Sequence, residues 1–131
     1  MPVGIVRRDA ASAAFFDGAA RGELLVRRCA SCGGFSAPQA RCCAHCGTPE
    51  PEWAPSAGAG SVVTWAVVHG RPDGGEAAPR TVVAVVELDE GPWIQAQLTG
   101  VAPEEVPAGL RVRAGFEHPD GGEAVPVFHP A

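Results

Sequence analysis

All five cysteines of this 131-residue chain lie in one segment, CASCGGFSAPQARCCAHC, between Cys29 and Cys46. Two pairs have the spacing C-x-x-C, Cys29 with Cys32 and Cys43 with Cys46, and a glycine follows each pair. Two thiolates two residues apart can reach one metal ion from a tight turn. The glycine then lets the backbone turn back with its N–H groups directed at the sulfur atoms. The spacing therefore predicts a structural four-thiolate site of the zinc-ribbon type, with no ligand position left open.

One cysteine, Cys42, falls outside this pattern because three residues, not two, separate it from Cys46. We expect Zn²⁺ in the four-thiolate site, while an iron centre of the rubredoxin type would use the same thiolates and stays open. The odd cysteine count disfavours two disulfides, and the lack of a recognisable βαβ unit disfavours a thioredoxin-like site. We interpret Cys42 as a passive residue, with a redox or nucleophilic role as the alternative. We expect His45 to be an exposed side chain within the second pair.

The residues upstream of the first cysteine pair predict a helix and then a strand. Residues 13–16, AAFF, indicate a short helix that is broken at Gly18 and followed by a second helical turn through residues 19–22. Residues 24–26, LLV, indicate a strand that leads directly into Cys29. These two elements are expected to position the first pair of ligands.

The residues downstream of the second pair, TPEPEWAPSAGAG at 48–60, are interpreted as a Pro/Gly-rich connector around Trp53. Because the composition shifts here, we place a domain boundary within residues 48–58.

From residue 61 onward the sequence predicts one strand after another. The predicted strands are residues 61–69, 81–89, 93–100, 110–118 and 123–130. A turn, PDGGEAAP at 72–79, is expected between the first two strands, and a longer connection with a helical turn between the third and the fourth. In the third strand Ile94, Ala96 and Leu98 share one face, which is expected to be buried. Five short strands with a long third-to-fourth connection predict an OB-type barrel.

The charge distribution argues against a nucleic-acid partner. All ten basic residues are arginines, and residues 60–131 carry four of them against ten acidic residues, within a chain of net charge −5. A surface that follows a phosphate backbone needs the opposite sign. The chain has no apolar run of about 20 residues and no pattern of a secretory signal, so we expect no membrane partner and a cytoplasmic location.

The motifs occur in an order that resembles a known family. The order is R-C-x-x-C-G and P-x-x-R-x-C-x-x-C-G, then G-x-V-x-T-W-x-V-V-H, V-V-x-L-D-E-G-P, G-L-R-V and a final P-V-F-x-P. From about Phe15 to Pro130 the chain resembles the zinc-ribbon plus OB-fold proteins formerly called domain of unknown function 35. The cysteine pairs alone are common to many zinc ribbons, whereas V-V-x-L-D-E-G-P and the closing P-V-F-x-P are far more specific. Ala44, where relatives often have proline, and Cys42, where an apolar residue is common, depart from the family pattern.

The resemblance implies a mainly β fold and an accessory role. The fold would be an N-terminal helical segment at 1–23, a rubredoxin-like zinc ribbon with linker at 24–58, and a five-stranded OB-fold barrel at 59–131. Family members accompany thiolases, sterol-carrier-protein-type thiolases and aldolases, hydroxymethylglutaryl-CoA synthases and some hydratases. The chain would then be a non-catalytic subunit of a thiolase-like enzyme (a thiolase, aldolase or acyltransferase), bound to a thiolase-fold or hydratase partner. Acyl-CoA would bind through the complex, and we expect a hetero-oligomer of two plus two chains.

The resemblance also implies site residues. The four ligands carry over to Cys29, Cys32, Cys43 and Cys46. Contacts with the partner or CoA are expected from Phe15, Phe16, Arg27, Arg28, Phe35, Arg41, Trp65, His69 and Trp93. The sequence shows no nucleophile elbow, no H-E-x-x-H and no phosphate loop, so no catalytic residue is predicted. Two alternatives remain: a single-stranded nucleic-acid-binding OB protein that stacks bases on its tryptophans, and a stand-alone acyl-CoA-binding protein or enzyme that uses Cys42 or a histidine.

Overall fold

The structure, a computed structural model, describes residues 6–70 and 80–131. Within them the elements are α1 (Ala13–Ala20), β1 (Leu25–Arg28), β2 (Phe35–Ser36), β3 (Glu52–Pro55), β4 (Ala59–His69), β5 (Arg80–Leu88), β6 (Trp93–Leu98), a 3-10 helix (Pro103–Glu105), β7 (Arg111–Glu117) and β8 (Val125–Pro130). The turn predicted at 72–79 lies outside the described residues. The mainly β prediction is confirmed.

The helix is continuous where the sequence predicted a break. α1 runs through Gly18 to Ala20, and the chain leaves it at Gly22, whose φ of 81° is the left-handed conformation of a helix end. A Cβ atom at residue 18 would lie 2.6 Å from Cγ of Leu25. Glycine therefore lets α1 approach β1 closely, and this packing offsets the glycine's low helix propensity of about 1 kcal/mol. The predicted break at Gly18 is wrong because tertiary packing outweighs propensity there.

A small sheet, ordered β2-β1-β3, forms the ribbon. Its strand β3 lies in the stretch that was interpreted as a connector, so that interpretation is wrong for Glu52–Pro55. All four residues of β3 pair antiparallel with β1, and Arg27 is opposite Trp53. The prolines are tolerated because β3 lies at the edge of the sheet, where a missing N–H breaks no ladder.

The five remaining strands close into a barrel in the order β4-β5-β6-β8-β7, with β7 returning to β4. The predicted five-stranded OB-type barrel is thus confirmed, and a 3-10 helix lies in its long third-to-fourth connection. One seam is short: β6 and β8 run parallel and pair only at Gln97–Val127 and Leu98–Phe128. α1 contacts β8, one of the two strands of this seam, as well as β1 of the ribbon.

One core joins the ribbon to the barrel. Its centre is Phe128, which is fully buried, and the predicted inner face of β6 contributes Ile94 and Leu98. The ribbon contributes Leu24 and Val26 to the same cluster. The ribbon is therefore packed onto the barrel by buried side chains and does not hang from it by a linker alone.

Candidate metal centre and adjoining groove

The four cysteines of the two C-x-x-C pairs converge on one point. Their Sγ atoms all lie within 4.8 Å of one another. Across the two pairs, Cys29 and Cys46 are 3.6 Å apart at sulfur, and so are Cys32 and Cys43. A tetrahedral ion with metal–sulfur bonds of about 2.3 Å needs sulfur–sulfur distances of about 3.8 Å. The arrangement therefore fits one four-coordinate metal ion.

The two halves of the site have the same backbone design. In each, the N–H of the glycine that follows the pair donates to the carbonyl of its first cysteine, from Gly33 to Cys29 at 2.8 Å and from Gly47 to Cys43 at 3.0 Å. Both glycines have φ between 74° and 78°, a region that side chains disfavour. The predicted turn-back of the chain at each glycine is thus present in the structure.

Backbone N–H groups are directed at the sulfur atoms. Donors lie 3.3–3.5 Å away: Cys32 N–H to Cys29, Gly34 N–H to Cys32, and His45 N–H to Cys43. The N–H of Cys32 lowers the pKa of Cys29 to about 6, and the N–H of Cys46, followed by that of His45, lowers the pKa of Cys43. These groups stabilise thiolates, the form that binds a metal.

Not all four sulfurs can carry a negative charge unaided. The N–H of Gly34 lowers the pKa of Cys32, but the neighbouring thiols of Cys43 and Cys46 have a larger opposite effect. The net result raises the pKa of Cys32 to about 12. Like charges this close need a cation between them. The donor set, four thiolates with N–H support and no further ligand position, suits a structural ion and not a catalytic one.

Two residues of the segment stand outside the cluster. Cys42 is exposed and forms an isolated bridge with Pro49, while Cys43, its neighbour, is buried in the cluster. His45 has its Nε2 atom 2.9 Å from the carbonyl oxygen of Phe35. Its ring also fills the space above Gly34, where a Cβ would lie 2.5 Å from it. His45 therefore braces the ribbon from its exposed side.

A groove of about 970 Å³ lies where α1, the ribbon and the barrel seam meet. Four of the predicted contact residues line it: Phe15, Phe16, Arg27 and Arg41. Sequence reasoning missed the other lining residues, among them Trp53, Gln95 and Gln97. Only the pairing of β3 with β1 places Trp53 there, and no local sequence signal indicates it.

Two arginines, Arg27 and Arg41, line the groove together with the carboxylate residue Glu50. The Arg27 guanidinium lies 4.2 Å above the Trp53 ring, and its Nε–H donates to the Pro51 carbonyl at 3.0 Å. No described residue forms a salt bridge with Arg27 or Arg41, whereas the side chains of Arg8, Arg21, Arg80 and Arg111 each pair with a carboxylate. A guanidinium oriented by stacking keeps its remaining donors for an anion.

The groove walls combine apolar and polar groups. Phe15 and Phe16 meet edge to face with ring centroids 5.4 Å apart, and Phe16 is buried. Asp9 also lines the groove, but its carboxylate accepts hydrogen bonds from the backbone and hydroxyl of Ser12, which lower the pKa of Asp9. Such a concave site with a few directed polar groups is typical of small-molecule binding.

The other predicted contact residues lie elsewhere. Arg28 is exposed, and Phe35 packs against the core. His69 is exposed at the end of β4. Trp65 and Trp93 are 36% and 53% exposed, so both rings reach solvent.

The two barrel tryptophans do not form one platform. Trp65 pairs with Ala84 and Trp93 with Glu87. Because Ala84 and Glu87 are three residues apart on β5, the two rings lie on opposite faces of the sheet. The indole N–H of Trp93 donates to the Glu87 carboxylate at 2.9 Å, which places a negative charge beside that ring.

Family models match both halves of this architecture. The model described as the ChsH2 rubredoxin-like zinc ribbon domain matches residues 16–52. The model described as the ChsH2 C-terminal OB-fold domain matches residues 53–117.

No helix within residues 6–70 and 80–131 is long and apolar enough to cross a membrane.

Three relatives share sequence with the chain. A probable enoyl-CoA hydratase alpha subunit of Thermomonospora curvata is 35% identical over 96% of this chain, which spans 39% of that protein. DUF35 domain-containing scaffold proteins of Pyrococcus furiosus and Methanocaldococcus jannaschii are 40% and 36% identical over 57% and 80% of the chain. The chain spans 55% and 77% of those two proteins.

Two solved structures share the fold. A chain of an Ltp2-ChsH2(DUF35) aldolase superposes with a TM-score of 0.80 at 32% identity, covering 94% of this chain and 96% of that one. A DUF35 protein of unknown function from Sulfolobus solfataricus superposes with a TM-score of 0.63 at 16% identity, over 93% of this chain and 86% of that one. With its zinc-ribbon and OB-fold halves both matched, the chain belongs to the DUF35 family of ChsH2-type scaffold and accessory proteins.

Proposed function

We propose that this chain is a non-catalytic accessory subunit of a thiolase-like or hydratase enzyme that acts on acyl-CoA. It would dock on the enzyme and complete part of its acyl-CoA site. The observation that carries this proposal is the groove between α1, the ribbon and the barrel, where Arg27 and Arg41 lie beside an apolar wall and form no salt bridge with a carboxylate of the described residues.

The chemistry of the groove suits coenzyme A thioesters. Arginine binds phosphate groups through charge-assisted hydrogen bonds, and Arg27 is already oriented by Trp53. Phe15 and Phe16 offer apolar surface for a pantetheine or acyl arm, and Gln95 and Gln97 add polar groups to the lining. The names of two relatives, a probable enoyl-CoA hydratase alpha subunit and an Ltp2-ChsH2(DUF35) aldolase, support an enzyme partner of this class.

The metal, which we propose is Zn²⁺ held by Cys29, Cys32, Cys43 and Cys46, would serve this role indirectly. It supplies no chemistry to the reaction and holds β1 and the second cysteine pair together. Arg27 lies two residues before Cys29, and Arg41 lies two residues before Cys43. A closed metal site therefore fixes both arginines relative to the barrel.

The division into segments 1–23, 24–58 and 59–131, the cytoplasmic location and the two-plus-two stoichiometry belong to the same proposal. Nucleic-acid binding is less favoured, because the tryptophans lie on opposite faces and a carboxylate adjoins Trp93. Binding of single-stranded oligonucleotides that weakens with salt would revive that alternative.

Two experiments test the proposal. The tagged full-length chain, purified from its native host, is expected to bring a thiolase-fold enzyme or a hydratase with it in a fixed ratio. Adding the purified chain to that enzyme is expected to raise its activity on an acyl-CoA, while the chain alone turns over none. An enzyme that is fully active alone, or a chain that captures no such enzyme, contradicts the proposal.

The groove is tested separately in the reconstituted complex. Arg27→Gln is expected to raise KM for acyl-CoA about tenfold or more, since a hydrogen bond to a charged group contributes about 1.5–3 kcal/mol. Arg113→Gln is the matched control, because Arg113 is an exposed arginine on β7, outside the groove, with no described salt-bridge partner. Equal KM values for the two variants would rule out CoA binding at Arg27.

A further inference from the structure

Strand β4 has one edge that, beyond Val62, forms no backbone hydrogen bond with another described residue; we call it the free edge. β7 pairs only with its first three residues, Ala59 to Ser61, and the last contact is Val62, which exchanges backbone hydrogen bonds with residues 109 and 110. On its other side β4 pairs with β5 as far as His69. From residue 63 to residue 69, no residue within 6–70 and 80–131 hydrogen-bonds the β4 backbone on the side away from β5.

The free edge lacks the devices that normally block strand addition. Its sequence, VTWAVVH, has no charged residue, no proline and no glycine, and four of its seven residues are β-branched. Edge strands of soluble proteins are usually protected by lysine, proline or inward charges. The irregularity between Val62 and Thr64 falls at Val63, the first residue of the free stretch, and the pairing of residues 64–69 with β5 is regular.

Apolar side chains flank this edge on both faces of the sheet. Val63 and Val68 are 39% and 52% exposed. Register places Ala66 and Val68 on the outer face with Val83, and Trp65 on the opposite face with Ala84. A shallow hollow of about 250 Å³ lies beside the edge, lined by outer-face residues that include Ala66, Val68 and Val83 and also by Trp65.

This surface is continuous with the groove of the proposed function. Gln95 on β6 lines both the groove and the hollow. A chain that fills the groove can thus extend across the outer face of β6, β5 and β4 to the free edge. Another extended backbone can pair with the N–H and C=O groups along such an edge, and the apolar neighbours favour uncharged, apolar side chains on that backbone.

We propose that the partner enzyme adds a β-strand to residues 63–69 of β4, carrying apolar side chains against Trp65 on one face and Val68 on the other. This inference rests on the proposed function, because it takes the enzyme as the occupant. The solved relative that superposes with a TM-score of 0.80 is a chain of an Ltp2-ChsH2(DUF35) aldolase. This supports an enzyme as the partner over a second copy of this chain.

Hydrogen exchange tests the backbone pairing directly. Amides within residues 63–69 that exchange quickly in the free chain are expected to slow at every second position when the purified partner enzyme is added. Unchanged exchange in a complex that forms normally overturns the inference and leaves the proposed function standing. Slowing that depends on the concentration of this chain alone, with dimers in mass photometry, also overturns it, because the occupant is then a second copy.

Substitution gives an independent test. Thr64→Lys with Val68→Lys places two charges beside the edge on exposed positions, and we expect enzyme binding to weaken at least about a hundredfold by calorimetry. Ala131→Lys adds a charge at the exposed C-terminus and is expected to bind like the wild type. An unchanged melting temperature and metal content of the double variant show that it is folded. Wild-type affinity of the folded double variant overturns the inference, whereas failure of the wild-type chain to bind any enzyme overturns the proposed function itself.

Discussion

Replacing Cys43 with serine is expected to release the metal ion and unfold the ribbon, whereas replacing its neighbour Cys42 with serine should leave both intact. The side chains are adjacent in sequence, but the Sγ of Cys43 lies 3.6 Å from that of Cys32 while Cys42 is an exposed residue outside the cluster. The pair of variants therefore separates a ligand from a bystander within one dipeptide.

The magnitudes follow from what each side chain contacts. Structural zinc sites contribute apparent binding free energies of about 10–16 kcal/mol, comparable to the whole stability of a small domain at about 5–15 kcal/mol. The ribbon buries few apolar side chains of its own, chiefly Leu24, Leu25 and Val26, so loss of the ion should unfold it. A substitution at exposed Cys42 should change stability by no more than about 0.5 kcal/mol, which corresponds to a melting shift of about 2–4 °C.

The assay is metal content per chain after gel filtration, measured by mass spectrometry, together with amide exchange. We expect about one ion in the wild type and in Cys42→Ser, and little in Cys43→Ser, with fast exchange in β1 and β3. Barrel amides in β7 and β8 should stay protected, because their hydrogen bonds lie within the barrel. Equal metal loss in both variants, or a metal-loaded Cys43→Ser protein, would refute the assignment of ligands.

Three further predictions concern the frame around the site. Gly60→Ala should destabilise the barrel by about 1–3 kcal/mol or more in urea unfolding, because the new Cβ would lie 2.4 Å from the backbone oxygen of Glu87; an unchanged midpoint would mean that this approach is looser than described. Phe128→Ala should cost about 3–5 kcal/mol by the same measurement, since the side chain is fully buried, and a loss below 1 kcal/mol would contradict its central position. Arg8 lowers the pKa of Glu123 by a hydrogen bond, so this contact stabilises the fold above the unfolded-state pKa and is lost as pH falls through the lower folded-state value. The melting temperature of Glu123→Gln should therefore approach that of the wild type at pH below about 4, and a constant difference across pH would count against the linkage.

The cysteine spacing alone predicted which four sulfur atoms form the cluster. A C-x-x-C-G turn is a local structure: the ligands, the glycines and the N–H donors lie within six residues of one another. The number of barrel strands and their approximate positions along the chain could also be predicted, because β-branched runs separated by Gly/Pro turns specify strands locally. For the same reason the alternation in β6 identified Ile94 and Leu98 as core residues.

Other features depended on contacts between distant residues. Propensity predicted a break at Gly18, but its closeness to Leu25 makes glycine the residue that lets α1 pack. The proline content of β3 gave no strand signal, because β3 is a strand only through its pairing with β1. The paired residues are distant in sequence, from 24 positions for Arg28 with Glu52 to 30 positions for Leu25 with Pro55. Trp53 was consequently missed as the residue that orients Arg27.

The sequence by itself thus determined which four sulfur atoms come together, which fold surrounds them and which family the chain resembles. Only the tertiary structure decided that Phe15, Arg27 and Arg41 share one groove, that Trp65 and Trp93 lie on opposite faces of the sheet, and that one edge of β4 is left unpaired by the rest of the described residues. The physical reason is the separation in sequence between the residues that form each feature. Turns, thiolate pairs and strand patterns are set by neighbours in sequence, whereas a groove or an edge exists only where strands distant in sequence meet or fail to meet.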